Sequence, residues 1–212
     1  MQPTVSDTLP EASERLKAVA LTLFAERGVD GVTVRQIAEA AGQKNHAAVG
    51  YHFGSKEALV RAIVVHGARL IDDLRNRMLD RLEARGGPAS VLDVTDVLVR
   101  SSLVPENPPW SACYNRFVVM VELTNHALFM DALEGKWNSG YLRCQDHVRR
   151  LLADVPTRQV NQRLVFMGAA MAGIISGRER ELADTTRDHP MWKSDRTLDR
   201  IARALAAILT AD

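Results

Sequence analysis

The chain has 212 residues, 46% hydrophobic and 25% charged, with a formal net charge of +1. That size and balance fit a soluble globular chain with room for one small domain and one larger one. No run of about 18 apolar residues is present to span a membrane, and no basic-flanked apolar core reads as a signal peptide. Cys113 and Cys144 are the only cysteines, too few for a disulfide framework, so a reducing cytoplasm is the expected setting.

Aromatics are only 5%, and Ala, Leu, Arg and Val dominate, which favours helix over sheet. Residues 1–10 lack periodicity and contain Pro3 and Pro10, so a flexible arm is expected there. A first helix is predicted from Glu11 to Arg27, with Leu16, Val19, Ala20, Leu23 and Phe24 on its apolar face and Gly28 and Gly31 ending it. Thr33 with Gln36 three residues on is a capping-box pattern opening a second helix. Val34, Ile37, Ala38 and Ala41 form its inner face, and Gly42 supplies the turn. A third, short helix is predicted from Asn45 to His52, stopped by Gly54.

Ser55 is a natural cap for one long helix from Lys56 to about Ala84, on which Leu59, Ile63, Leu70, Ile71, Leu74, Met78 and Leu82 recur at helical spacing. Arg85-Gly-Gly-Pro88 breaks it. Helices over 89–102, 110–126 and 130–154 are predicted next, the last interrupted at Asn138-Ser-Gly140. Pro156 starts another over 157–183, and a final helix runs from Thr197 to Thr210.

Residues 33–59 carry the most information. A short helix, a glycine turn, a second short helix and the capped start of a third is the helix-turn-helix order that places one helix in the major groove of DNA. Gln43, Lys44, Asn45 and His46 stand at the start of the second of these helices. Lys can donate to guanine O6 and N7, and Asn and Gln can pair with adenine N6 and N7. Tyr51 and His52 could donate to phosphate oxygens, and Lys56 with the amides opening the long helix offers a further phosphate site. Charge alone does not announce a nucleic-acid partner. Arg15, Lys17, Arg27, Arg35 and Lys44 face Asp7, Glu11, Glu14, Glu26, Asp30 and Glu39 within the first 55 residues, so local placement of cations must do the work.

Residues 13–64 resemble the N-terminal domain of the TetR family of bacterial transcriptional repressors. The matching pieces are Ala25-Glu-Arg-Gly28 with Gly31, Thr33-Val-Arg-Gln-Ile-Ala38, Ala41-Gly42, and Tyr51-His-Phe53 with Ser55-Lys-Glu-Ala-Leu59. The resemblance covers about a quarter of the chain. It implies an all-α protein: an N-terminal three-helix helix-turn-helix DNA-binding domain over residues 11–55, and a C-terminal helical ligand-binding and dimerisation domain over residues 56–212. By the family pattern, phosphate contacts fall on Thr33, Arg35, Tyr51, His52 and Lys56, and base contacts on Lys44, Asn45, His46 and Gly50. The stretch from Gly42 to Tyr51 is one residue longer than in most members. It also has Gln43-Lys44 where an apolar-then-hydroxyl pair is usual, so the turn or the first turn of the recognition helix is expected to be reshaped. Gly50 replaces a residue that is often apolar, either for close backbone approach to DNA or to ease packing on the first helix.

The resemblance also implies a small-molecule pocket and a homodimer on a palindromic operator. Trp110, Tyr114, Phe117, Met120, His126, Trp137, Met167 and Met171, with Met130 and Phe166, are candidates to line a mostly apolar pocket between helices, and Glu122, Asn125, Arg116 and His147 are polar groups in the same helices. The family dimerises through its last two long helices, here 159–183 and 197–210. Gly168, Ala169, Ala172, Gly173 and Ser176 permit close approach, and Leu198, Ile201, Leu205 and Ile208 form an apolar stripe. Glu122 with His126, and Cys144 with His147, have metal-compatible spacings but no second pair, so no metal is expected. No cofactor is expected, and no Ser/His/Asp, Cys/His or nucleotide-loop motif points to an enzyme.

The expected function is a ligand-responsive, DNA-binding transcriptional regulator, acting as a repressor, with double-stranded DNA, a second copy of itself and a small-molecule effector as partners, and no membrane partner. The rival readings are a helical protein-interaction module and a small-molecule-binding protein without DNA readout.

Overall fold

A computed structural model describes residues 9–43, 45–104, 107 and 109–211. Those residues form eleven helices and no strand: α1 (Leu9–Arg27), α2 (Val34–Ala40), α3 (Ala48–Phe53), α4 (Lys56–Glu83), α5 (Val91–Ser101), α6 (Trp110–Thr124), α7 (His126–Leu133), α8 (Ser139–Leu151), α9 (Thr157–Ala183), α10 (Pro190–Lys193) and α11 (Asp195–Thr210). The all-α class read from the sequence stands. Residues 1–8 of the expected arm lie outside the described residues.

Local chemistry sets most of these boundaries. The Thr33 hydroxyl accepts from the Gln36 amide at 3.2 Å while the Gln36 side chain accepts from the Thr33 amide at 2.8 Å, which closes the capping box that starts α2. α2 ends in a Schellman turn: Gln43 N–H donates to Ala38 O, Gly42 N–H donates to Glu39 O, and Gly42 takes a φ of 69° that a side chain would resist. Ser55 caps α4 through the Ala58 amide at 3.0 Å.

Several boundaries differ from the pattern reading: α1 already starts at Leu9, inside the expected arm, α7 and α8 replace the helix expected over 130–154, and α10 was not expected. The helix expected over 110–126 stops at Thr124 because Asn125 caps a new helix, accepting from Leu128 N–H at 3.2 Å. That helix, α7, ends where Glu134 and then Gly135 take left-handed φ values of 47° and 67°. The third helix starts at Ala48 rather than Asn45, for reasons that belong to the candidate interface.

Two hydrophobic clusters organise the chain. The first joins α1, α2, α3 and the start of α4 to α6 and α7, around Leu16, Phe24, Ile37, Val49, Ile63 and Phe117. The second holds the far end of α4 against α5, α8, α9 and α11, around Leu79, Leu98, Met167, Ile175 and Leu205. α6 is tied to both α1 and α4. Phe24 and Phe117 stack across α1 and α6 with ring centroids 6.1 Å apart. The Tyr114 hydroxyl donates to Val64 O at 2.7 Å, and the Tyr114 ring lies so close over Gly67 that a Cβ there would come within 2.3 Å of it.

Tyr114 is buried, so its ring has nowhere to withdraw. The Gly67→Ala change is therefore expected to lower stability, with overpacking of about 1–3 kcal/mol opposed by a helix-propensity gain of about 1 kcal/mol. Urea unfolding checks the sign; a more stable variant would show that the ring yields.

Candidate nucleic-acid interface and helical cavity

The interface is built on α2 and α3. Ile37, Ala38, Ala41, Ala48 and Val49 are buried and anchor the pair to α1, leaving Asn45, His46, Ala47, Gly50 and Tyr51 exposed on the outer side. Gln43 and residues 45–47 lie outside any helix. The Asn45 side chain accepts from Ala47 N–H at 2.9 Å, and Asn45 O accepts from Ala48 N–H at 3.0 Å. This local side-chain turn competes with helix and delays α3 by three residues. The reshaping expected from the longer spacing is thus a preformed polar loop ahead of a helix of six residues. Lys44, a predicted base reader, lies outside the described residues.

The other predicted contacts divide. Tyr51 is 72% exposed, its ring edge-on to His52 at 5.1 Å. His52 and Lys56 are half-buried at the end of α3 and the start of α4. Thr33 is exposed, but its hydroxyl is engaged within the capping box, donating to Gln36 Oε1 at 3.0 Å. Arg35 is exposed and holds Glu39 through Nε at 2.8 Å, with His46 Nδ1 4.0 Å from the same carboxylate oxygen. The hydrogen bond from Arg35 draws the Glu39 carboxyl below its usual range. Gly50 is exposed and a Cβ on it would meet nothing within 4 Å. Easing of packing against α1 is therefore not its role; the flat, open backbone there permits close approach of a partner.

The body contains a cavity of about 390 Å³ between α4, α6, α7, α8 and α9. Of the residues expected to line it, Tyr114, Met130, Trp137 and Met171 do so. Trp110, Phe117, Met120, His126, Met167 and Phe166 do not. Trp110 stacks on His66 with centroids 3.9 Å apart. Phe117 and Met167 are fully buried in the two cores. Met120 faces the end of α1, its Sδ 3.4 Å from where a Cβ of Gly28 would be. His126 and Phe166 are exposed at the surface. The polar lining includes Glu122 as expected, but also Arg75, Asn115 and Asn138, which the pattern reading passed over. Arg75 falls on the stripe Val60, Val64, Gly67, Ile71, Arg75, Leu79 of α4, and a charged residue in phase with an apolar face was the signal available.

Buried polar groups cluster beside this cavity. Glu179 of α9 accepts from the Asn115 and Arg116 amides of α6 at 3.0 and 2.8 Å and from Asn115 Nδ2 at 2.8 Å. Burial raises its pKa, and those hydrogen bonds pull it back in part. Two other polar groups lie away from the lining: Asn125, exposed, caps α7, and His147 is bonded to the exposed Glu83 at 2.7 Å. Cys113 and Cys144 are buried thiols pushed up to about 11 by desolvation, which makes them inert packing groups.

The dimer stripe expected on α11 is turned inward. Leu198, Ile201 and Leu205 are buried, and Ile208 packs beside them, in the second core of their own chain. An apolar stripe with a period near 3.6 marks a buried face, and here α5 and α9 cover it. Gly168 and Ala172 also face inward, lining the cavity. Ala169 and Gly173 lie outward, on a side of α9 that also exposes Val165 at 68% and Phe166 at 55%.

Residues 16–63 match the family model for bacterial regulatory proteins of the tetR family. Over 74 residues the chain is 42% identical to the HTH-type transcriptional repressor KstR2 of Rhodococcus jostii (strain RHA1), a match spanning 34% of each chain, so about a third of that curated relative's length. The fold as a whole is like that of the fatty acid degradation regulator FadR from Bacillus halodurans, with a TM-score of 0.59 at 14% identity over 100% of this chain and 98% of that one. It is also like AibR in complex with isovaleryl coenzyme A and operator DNA, with a TM-score of 0.56 at 19% identity over 94% and 98% of the two chains. It is the N-terminal helix-turn-helix stretch, residues 16–63, that is identified with the tetR family of bacterial regulatory proteins.

Proposed function

We propose that this chain is a cytoplasmic, ligand-responsive transcriptional repressor that binds a palindromic operator as a homodimer. The observation that carries the reading is the exposed surface of Asn45, His46, Ala47, Gly50 and Tyr51 on a rigidly packed helix-turn-helix, within residues 16–63 that match the tetR family model. Residues 11–55 act as the reader, and residues 56–212 sense the effector and dimerise. His46, Asn45 and Lys44 face base edges, and the bare backbone at Gly50 lets the helix sit close in the groove. Tyr51, His52, Arg35 and Lys56 contact phosphates, Arg35 exchanging Glu39 for a phosphate oxygen.

The effector occupies the cavity. α6 links it to the reader, because Tyr114, Val118 and Glu122 line the cavity while Phe117 and Met120 meet α1. A ligand that prefers one position of α6 favours one spacing of the two readers, and operator affinity changes by the difference between the two states. AibR, crystallised with a coenzyme A thioester and operator DNA, has this architecture, which supports one chain holding both sites. The outward face of α9 supplies the partner surface.

The test is selection of bound duplexes from a random library, with salt varied. An enriched palindrome with half-sites about 34 Å apart, bound less tightly as salt rises, is the expected result. No enrichment at low salt from a folded dimer would sink the reading. On the selected duplex, Tyr51→Phe is expected to weaken binding about tenfold with base preference unchanged. Two hydroxyls per dimer are lost, each worth about 0.5–1.5 kcal/mol. Unchanged affinity would remove Tyr51 from the phosphate contacts.

A further inference from the structure

The cavity contains a buried charge that makes no ion pair among the described residues: desolvation lowers the Arg75 pKa, and the nearby Asp72 carboxylate offsets this only in part. Arg75 is 6% exposed and lines the cavity. Its Nε donates to Ser101 Oγ at 2.9 Å and its Nη2 to Ser102 Oγ at 3.3 Å; both hydroxyls in turn donate to Leu98 O. Among the described residues its Nη1 donates to nothing and no carboxylate is in ion-pair contact with it. Asp72, one turn earlier, is spent elsewhere: Oδ1 accepts from Gly140 N–H at 2.8 Å, and Oδ2 from Ser139 Oγ at 2.7 Å and Asn76 Nδ2 at 3.2 Å.

The guanidinium is also held in place. A Cβ on Gly140 would lie 3.1 Å from Arg75 Cγ, so α8 presses on the stem, and the head sits 5.8 Å from the Tyr141 ring centroid. A desolvated cation whose hydrogen-bond acceptors are all neutral is a costly arrangement, and a carboxylate held elsewhere one turn away offsets only part of that cost. Asn138, also on the lining, has a buried Oδ1 with no partner, and its amide can present an acceptor or, turned over, a donor. The remaining walls are apolar, among them Ile71, Val118, Phe129, Leu133 and Met171. The one carboxylate on the lining, Glu122, is exposed to solvent.

We propose that the cavity takes an amphipathic carboxylate, its head on Arg75 with Asn138 beside it and its hydrocarbon body against the apolar walls. The assignment rests on the reading of this cavity as the effector site. A volume of about 390 Å³ holds on the order of a dozen non-hydrogen atoms at about 30 Å³ each, the share of a small unit in a liquid. Octanoate, with ten, is a suitable probe, and 1-octanol is its neutral control. The carboxylate gives Arg75 the planar, charge-assisted partner its free Nη1 lacks.

The experiment is calorimetric titration of the full chain with each probe, repeated on Arg75→Met, Arg75→Lys and the cavity-filling Val118→Trp. Thermal unfolding shows which variants are folded. Octanoate should bind the unmodified chain roughly 10- to 150-fold more tightly than 1-octanol, the weight of a hydrogen bond to a charged group. Arg75→Met should erase that preference, Arg75→Lys should keep part of it, and Val118→Trp should abolish binding of both. Equal affinities for the two probes on the unmodified chain, or a preference that survives Arg75→Met, would overturn the anion anchor and leave the effector cavity standing. Binding of neither probe, or binding indifferent to Val118→Trp, would overturn the cavity reading and the anchor with it.

Discussion

Replacing Phe117 by Ala is expected to lower the stability of the chain by about 3–5 kcal/mol, the cost of removing a fully buried aromatic from a core that cannot collapse around the gap. Phe117 is completely buried in the cluster that joins α1 to α6, and its ring stacks on that of Phe24. Neither ring has a polar edge to hydrate, so water entering the void recovers little. In a chain of this size each kcal/mol moves the melting temperature by about 2–4 °C, so a fall on the order of 10 °C should be seen. A change under about 1 kcal/mol in urea unfolding would show that α1 and α6 are not held together there. The milder Phe117→Leu separates folding from signalling: it should leave the chain folded but weaken the link between cavity and operator.

The second large effect concerns assembly. Phe166→Glu is expected to weaken self-association at least 30-fold, since a central aromatic in an interface is commonly worth 2 kcal/mol or more, and the carboxylate would then be buried without a partner. Phe166 is more than half exposed on the side of α9 that also bears Val165, Ala169 and Gly173, so the isolated chain should fold as before. Leu205→Glu is the contrasting change, because Leu205 is fully buried in its own chain's core and a charge there should unfold the protein. Concentration-dependent light scattering distinguishes the two. A Phe166→Glu protein that remains dimeric at the original concentration would move the partner surface off this face of α9.

What was legible in the sequence follows from how local each cause is. The capping box at Thr33 and the turn at Gly42 depend on residues a few positions apart, and both appear as read. The start of α3 was misplaced because Asn45 can either begin a helix or fold its side chain onto the next amides, and only the packed structure shows which. Periodicity found the inner stripe of α11 but could not say whose core it enters. The cavity was the least legible part. Large apolar residues such as Trp110, Phe117 and Met167 serve the core and the pocket equally well on paper, and their assignment depends on long-range packing. Arg75 was hidden by its type: it reads as a surface residue until its phase on α4 is compared with that of its apolar neighbours.

The contact between Tyr114 and Gly67 has a kinematic consequence. α6 and α4 meet where one backbone has no side chain and the other sets a ring over the gap, with the hydroxyl bonded to the Val64 carbonyl. Sliding α6 along α4 would carry the ring off the one position that has no side chain, and α6 is held besides by Phe24 of α1 and by Glu179 of α9. The contact therefore works as a peg that fixes the register of α6 on α4, so a displacement of α6 at Tyr114 has to carry the α4 backbone at Gly67 with it.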